Sequence, residues 1–141
     1  MTADPAPSLR SQEHPQCVAC SPDHPFGLRL TFEPADDGSV TAEVDCAPPW
    51  QGYTGLIQGG VVSMMLDAAM TNCLFQRGVT ALTAKLSVRF LEPVRVGRTG
   101  FLSARIVRSA GRGYILEATL RQDGRPVATA EAVFMRKPPA R

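Results

Sequence analysis

One carboxylate stands alone in a long uncharged stretch of this 141-residue sequence, and a pair of glycines precedes it. Between Asp45 and Arg77 the only charged side chain is Asp67, in the apolar run VVSMMLDAAMTNCLF. Burial of an unpaired carboxylate is costly or raises its pKa, so such a group is kept where it does chemistry or where specific donors satisfy it. Gly59 and Gly60 lie at the expected start of the helix, where backbone N–H groups lack partners. A helix carboxylate and open donors at a helix start together indicate an acyl-transfer site.

The elements that must position these groups are two strands, one long helix and four further strands. The helix is expected from about residue 61 to 76, with Gly78 as its C-cap. The strands are expected in LRLTFE and SVTAEVDC before the helix, and in TALTAKLSVRFLEP, TGFLSARIVRSAG, GYILEATLRQ and RPVATAEAVFMRK after it. Tight turns between the later strands predict an antiparallel sheet, and a helix that is apolar on most faces needs a broad cover. The predicted fold class is therefore α+β, with a curved sheet wrapped around one central helix.

The first strand after the helix alternates apolar and polar residues. Its two predicted faces are Leu82, Ala84, Leu86, Val88 and Phe90 on one side, and Thr83, Lys85, Ser87 and Arg89 on the other. This alternation predicts that Thr83 lies on the polar face of its strand.

Composition predicts one domain and excludes several partners. The net charge is +2 with 20% charged residues, and Lys and Arg are scattered, which argues against nucleic-acid binding. Residues 1–16 are rich in Pro and polar groups and resemble no signal peptide, so a flexible tail is expected there. The longest apolar run is too short to span a bilayer, which predicts no membrane association and a cytoplasmic location. The expected domain covers residues 17–137, and residues 138–141 form a polar end.

The four cysteines predict neither disulfides nor a metal site. Cys17 and Cys20 have the Cys-x-x-Cys spacing of half a tetrahedral zinc site, with His24 nearby. The other half is missing, because the remaining two cysteines are isolated in apolar surroundings and His14 lies in the tail. We therefore expect a packed turn at Cys17–Cys20, and no metal.

Three motifs resemble those of the hotdog-fold acyl-CoA thioesterases, in particular the phenylacetate-pathway (PaaI-type) branch. CVACSPDHPFGLRLTFE resembles the branch's C-x-x-C-x-x-x-N-P-x-G-L-x-L entry, and GYTGLIQGGVVSMMLDAAM resembles its G-x-x-G-x-x-H-G-G-x-x-x-x-L-x-D segment. TAKLSVRFLEPVRVG resembles its T-x-x-L-x-V-x-F-x-x-P-x-x-x-G strand. The resemblance runs from about Cys17 to Phe134 and implies a hotdog fold with five to six strands.

The resemblance also implies roles for single residues. Asp67 matches the catalytic carboxylate, which attacks the thioester carbonyl or deprotonates a water that does so. Gly59 matches the residue whose N–H polarises that carbonyl, and Thr83 matches a Ser/Thr that orients the water. The residues expected to contact substrate are Gln58, Gly60, Gln51, Trp50, Tyr53 and Met70.

Two family positions differ in this sequence. Gln58 replaces the His that precedes the paired glycines, and Gly52 replaces the Asn or Gln six residues before it; Gln51 or Gln58 is expected to take over the polar role. By resemblance the partner is an acyl-CoA substrate, no cofactor is needed, and the site lies between two subunits of a homodimer or a dimer of dimers (a homotetramer).

Three functions follow from these patterns. Hydrolysis of a small or medium acyl- or aryl-CoA is the leading interpretation. A hotdog-fold hydratase or dehydratase would pair a His with a carboxylate, and neither histidine falls on the helix or its loop in sequence. A non-catalytic acyl-CoA-binding protein stays open, since both supporting polar positions are altered.

Overall fold

A computed structural model describes residues 5–138, which form one long helix against a six-stranded antiparallel sheet. The elements in chain order are α1 (Pro5–Glu13), β1 (Glu33–Pro34), β2 (Val40–Asp45), α2 (Gly59–Gln76), β3 (Ala81–Phe90), β4 (Thr99–Ala110), β5 (Gly113–Gln122) and β6 (Arg125–Arg136). The spatial order of the strands is β1-β2-β4-β5-β6-β3. This architecture, a curved sheet around one central helix, confirms the predicted fold class.

Helix α2 has well-defined ends that its sequence explains. The Gln58 side chain caps the first turn, because its Oε1 accepts a hydrogen bond from the Val61 amide at 2.9 Å. At the other end Gly78 adopts a φ of +71°, and the Val79 amide donates to the Leu74 carbonyl at 3.0 Å, which completes a Schellman motif. The helix begins two residues before the predicted start, so Gly59 lies in its first turn.

The core lies between α2 and the concave face of the sheet. β2 and β5 alternate buried and more exposed residues, as expected for strands with one face against a core. The largest fully buried side chains include Phe134, Met65, Leu66, Leu102 and Leu116, from the helix and three strands. Burial of each such side chain contributes about 1.5–3 kcal/mol, so α2 is held firmly at the centre. Among the described residues, no helix is long and apolar enough to cross a membrane.

A β-bulge in β3 changes which side chains face the helix. The register against β6 shifts between Thr83 and Lys85. Thr83 lies opposite buried Phe134, and Leu86 lies opposite buried Ala132, so both side chains point toward α2. The predicted strict alternation, with Thr83 on the polar face, is therefore wrong, because the extra residue at the bulge reverses the faces.

The segment before β2 is less regular than predicted. Of the predicted strand LRLTFE, only Glu33 is in β1. Arg29 has a φ of +53°, which interrupts extended backbone, and Leu28 and Leu30 instead donate hydrogen bonds to the carbonyls of Val18 and Ala19. The chain therefore folds back on the Cys17–Cys20 turn rather than extending the sheet.

The N-terminal segment contains α1, where the composition predicted a flexible tail. The described part of this segment contacts α2, and Glu13 accepts hydrogen bonds from Thr80 and Lys137 at 3.3 Å each. These contacts join the segment to the start of β3 and the end of β6. Residues 1–4 of the predicted tail and 139–141 of the predicted polar end lie outside the described residues.

Candidate active site

Asp67 and Thr83 form a hydrogen-bonded pair between the middle of α2 and the start of β3. The Thr83 hydroxyl donates to Asp67 Oδ1 at 2.6 Å. Asp67 is partly buried and Thr83 is exposed, so the pair lies where the helix meets the surface. The bulge in β3 is what turns Thr83 toward the carboxylate. The two predicted catalytic side chains are thus brought together by packing.

The surroundings of Asp67 favour its protonated form. Burial is the largest influence and raises its pKa above the usual range, whereas the Thr83 hydrogen bond lowers it. A charge on Cys17 raises this pKa further, and a charge on His14 lowers it. A poorly solvated carboxylate with a raised pKa is a stronger base than an exposed aspartate, which suits proton abstraction from water.

The N-terminus of α2 presents open backbone donors. Within residues 5–138, the Gly59 and Gly60 amides form no hydrogen bond, and both glycines are exposed. The Gln58 side chain occupies the next donor, the Val61 amide. A Cβ added at Gly59 would lie 3.6 Å from Phe90 Cζ, an ordinary contact. This helix start can stabilise a negative oxygen through N–H groups and the helix dipole.

The carboxylate and the open donors do not meet within one chain. Gly59 and Asp67 are separated by two helical turns, which places them about 12 Å apart along the axis of α2. A thioester carbonyl cannot contact an oxyanion donor and a base at that separation. Within one copy, Asp67 and the open donors therefore cannot act on the same carbonyl.

A cavity of about 660 Å³ adjoins the helix start. It lies between the loop before α2 and the segment after β3, and its lining includes Tyr53, Leu56, Gly59, Phe90 and Leu91. The Tyr53 side chain is 85% exposed and is free to contact a ligand. An apolar cleft beside open N–H donors suits an acyl or pantetheine chain whose carbonyl lies at Gly59.

The other predicted substrate contacts fall in different environments. The Gln51 side chain accepts a hydrogen bond from the Gly55 amide at 3.1 Å and so stabilises its own loop. Trp50 packs partly buried against the core. Met70 was predicted to contact substrate, but it is completely buried and belongs to the core, since α2 turns this position inward. Gly60 lies exposed beside Gly59 as expected.

A His–Cys–Cys cluster is the feature that sequence reasoning missed. The ligand atoms of His14, Cys17 and Cys20 all lie within 4.8 Å of one another. The hydrogen bond between the cysteines lowers the pKa of Cys17 and raises that of Cys20. The histidine of this cluster is His14 and not His24, the histidine noted near the two cysteines in the sequence. His14 directly follows α1, and its ring lies against Phe75 of α2, with 5.0 Å between the ring centroids. The spacing His-x-x-Cys-x-x-Cys was the available signal.

Comparison with known sequences gives matches that cover most of the domain. A family model described as acyl-CoA thioesterase N-terminal domain matches residues 46–135. MIOREX complex component 3 of Saccharomyces cerevisiae is 32% identical over 98 residues, which are 66% of this chain and 35% of that protein. The acyl-coenzyme A thioesterase THEM4 of Bos taurus is 25% identical over 103 residues, covering 73% and 42% respectively. The chain thus spans about two fifths of the length of these curated relatives.

Two solved structures with the same fold are described in terms of thioesterases. A thioesterase superfamily protein superposes with a TM-score of 0.80 at 26% identity, covering 84% of this chain and 62% of that one. A protein of Streptococcus pneumoniae TIGR4 described as a hypothetical thioesterase, solved with coenzyme A, gives a TM-score of 0.72 at 16% identity, covering 77% of this chain and 88% of that one. Two variants of that Streptococcus protein have also been solved. One has alanine in place of an aspartate, and the other has alanine in place of a threonine sixteen residues further along.

Proposed function

This chain belongs to the acyl-CoA thioesterase N-terminal domain family, and from that membership we propose that it hydrolyses a small or medium acyl- or aryl-CoA to the free acid and CoA. Its fold is the hotdog fold that the motifs predicted. The observation that carries the proposal is Asp67, a partly buried helix carboxylate with one hydroxyl donor at 2.6 Å. The acyl-CoA substrate is supported by the family description and by the Streptococcus relative that was solved with coenzyme A.

In the proposed reaction Asp67 acts as a general base. It takes a proton from a water held near Thr83, and the water oxygen forms a bond to the thioester carbonyl carbon. The carbonyl electron pair moves to oxygen, where the Gly59 amide and the helix dipole stabilise the negative charge. When the C–S bond breaks, CoA leaves as the thiolate and receives the proton that Asp67 holds. Direct attack by the carboxylate, with an anhydride intermediate, is the alternative role for the same residue.

The spacing of the two side chains supports these roles. Asp67 and Thr83 are sixteen residues apart, the same separation as the aspartate and threonine replaced in the Streptococcus variants. In proteins that share a fold, the helix and the strand that follows it fix the number of residues between two such positions. Equal spacing is therefore expected when the aspartate and the threonine form the same pair in both proteins.

The proposed site is completed by a second copy of the chain. Within one copy, the helix start and Asp67 are too far apart to act on one carbonyl. β3 is an edge strand of ten residues with a single neighbour, β6, and its Leu82 is 57% exposed. Such an edge is a ready surface for pairing with another strand. A homodimer joined there would set Asp67 and Thr83 of one copy beside Gly59 of the other, and two dimers could form a tetramer.

A non-catalytic acyl-CoA-binding protein is the second candidate. Gln58 stands at the family's His position, and its Oε1 is engaged in capping α2. Gly52, at the position of the other polar helper, packs against the Gln58 side chain, since a Cβ there would lie 3.1 Å from Gln58 Cγ. The two polar residues of the usual family site are therefore replaced by Gln58, which caps α2, and by Gly52, which packs against the Gln58 side chain.

A thiol-release assay over a panel of acyl- and aryl-CoA esters tests the proposal. The expected result is CoA release by the wild type and its loss in Asp67→Asn, with Asp45→Asn as the matched control, because Asp45 is an exposed carboxylate on β2. A thermal-shift screen with the same esters runs in parallel. Ligand stabilisation without thiol release would favour the binding protein, and full turnover by Asp67→Asn would exclude the mechanism.

The cytoplasmic location stays a prediction.

A further inference from the structure

The segment HPQCVAC carries three metal-ligating side chains that converge in space. His14 and Cys17 are partly buried, Cys20 is buried, and their ligand atoms lie within 4.8 Å of one another. His14 Nδ1 is 3.5 Å from Cys20 Sγ. The cluster lies against α2, since the His14 ring contacts the Phe75 ring edge-on, with 5.0 Å between the ring centroids.

One of the three separations between ligand atoms matches an edge of a zinc tetrahedron. Zn–S bonds of about 2.3 Å and Zn–N bonds of about 2.0–2.1 Å at tetrahedral angles place a sulfur and a nitrogen ligand about 3.6 Å apart. The separation of His14 Nδ1 and Cys20 Sγ agrees with that edge. Two thiolates with one imidazole form a donor set that favours zinc over calcium or magnesium, which bind oxygen.

The groups around the cysteines also suit thiolate ligands. The amides of Ala19 and Cys20 donate to Cys17 Sγ at 3.3 and 3.4 Å. Such hydrogen bonds orient a metal ligand and stabilise its negative charge. The turn is itself fixed, because the Ser21 hydroxyl donates to the Pro15 carbonyl at 2.8 Å. The three ligands are therefore held before any metal arrives.

We propose that His14, Cys17 and Cys20 bind one Zn²⁺ per chain, with water in the fourth position. The two thiolates balance the charge of the ion. The ion would hold together the segment after α1, which lies against the C-terminal part of α2 at Phe75. This site does not depend on the proposed thioesterase activity, and the two can fail separately.

The test measures metal in the full-length, untagged chain purified under reducing conditions. Elemental analysis should find one zinc per chain after equilibration with zinc sulfate and removal of free metal. Titration with Co²⁺ should give thiolate-to-cobalt charge-transfer absorption. Cys17→Ser should lose both signals; because Cys17 is only partly buried, this variant should fold, which circular dichroism checks. His24→Ala is the matched control and should keep both signals.

Two outcomes would overturn the proposal. One is a fully reduced wild type that binds neither zinc nor cobalt, whether or not its two cysteines form a disulfide on later exposure to air, seen by mass spectrometry as loss of two hydrogens. The other is undiminished zinc in both Cys17→Ser and Cys20→Ser. The zinc proposal is supported if the wild type holds one zinc per chain and if chelation lowers the melting temperature only when Cys17 is present.

Discussion

Copies of this chain that carry Asp67→Asn should recover activity when they assemble with copies that carry Gly59→Pro. Each change removes one half of the proposed site. Asparagine keeps the shape of the side chain and can still accept the Thr83 hydrogen bond, but it cannot take a proton. Proline removes the Gly59 amide donor and is tolerated in the first turn of a helix. The preceding Gln58, with φ −62° and ψ 136°, already has the extended conformation that a following proline requires.

The expected magnitudes follow from the geometry of α2. Loss of a general base lowers the rate by about 10²–10⁴-fold, and loss of one oxyanion donor lowers kcat by about 10²–10³-fold. Because Gly59 and Asp67 lie about 12 Å apart along one helix, they serve different sites. In a mixed dimer one site then carries both changes and the other carries neither. Each isolated mixed dimer therefore keeps one intact site of two, so about half of the wild-type activity should return.

The assay is thiol release from the best CoA ester of the panel. The two variants are co-expressed with different affinity tags, and the mixed dimers are isolated by tandem purification. Gly59→Ala is the matched control for Gly59→Pro, because it adds a Cβ in ordinary contact with Phe90 but keeps the amide. It should retain far more activity than the proline variant. Light scattering establishes that each preparation is an oligomer.

Mixed dimers as inactive as both parents would refute the shared site. In that case Asp67 and Gly59 of two copies would not act together on one carbonyl, and the open donors at the start of α2 would have another use. Equal losses in Gly59→Ala and Gly59→Pro would refute the oxyanion role, because only the proline variant lacks the N–H group.

Three further changes test the physical arguments separately. Asp67→Asn should raise the free energy of unfolding at neutral pH, because burial raises the folded-state pKa above the unfolded value and ionised Asp67 destabilises the fold. In thermal melts that gain should shrink as the pH falls through this pKa, and a gain unchanged with pH would contradict the assignment. Thr83→Val should move the acid limb of the kcat/KM profile to higher pH, since a hydrogen bond to a charged group contributes about 1.5–3 kcal/mol. Thr83→Ser should keep the wild-type midpoint. Identical profiles for Thr83→Val and Thr83→Ser would show that the hydroxyl does not lower the pKa of Asp67. Gln122→Leu should lower the free energy of unfolding by about 1–3 kcal/mol, because it leaves the Arg95 amide and carbonyl, each 2.9 Å from the Gln122 side chain, without partners. Urea denaturation with an unchanged midpoint would contradict that role.

Local patterns were sufficient for most elements of the fold. The helix and the four strands after it follow the predicted segments, because glycine turns and apolar periodicity act over a few residues. The strand predicted in LRLTFE failed because Arg29 has a positive φ, which the sequence does not mark with a glycine. The position of His14 was missed for a different reason, since its ring is placed by contact with Phe75, far away in sequence.

The candidate site shows the same contrast, because the contact between Asp67 and Thr83 could not be derived from periodicity. A strand with strict alternation would place Thr83 on the face opposite Leu86, yet both point toward α2. The bulge responsible carries no glycine, so nothing local distinguishes it from regular strand. Bulges concentrate next to active sites because they re-aim a side chain, and functional sites are where local rules are expected to fail. Here the bulge turns Thr83 inward, so that its hydroxyl donates a hydrogen bond to Asp67. Without that inward hydroxyl, the partly buried carboxylate would lose the donor that offsets its burial, and burial favours the protonated form that cannot act as a base.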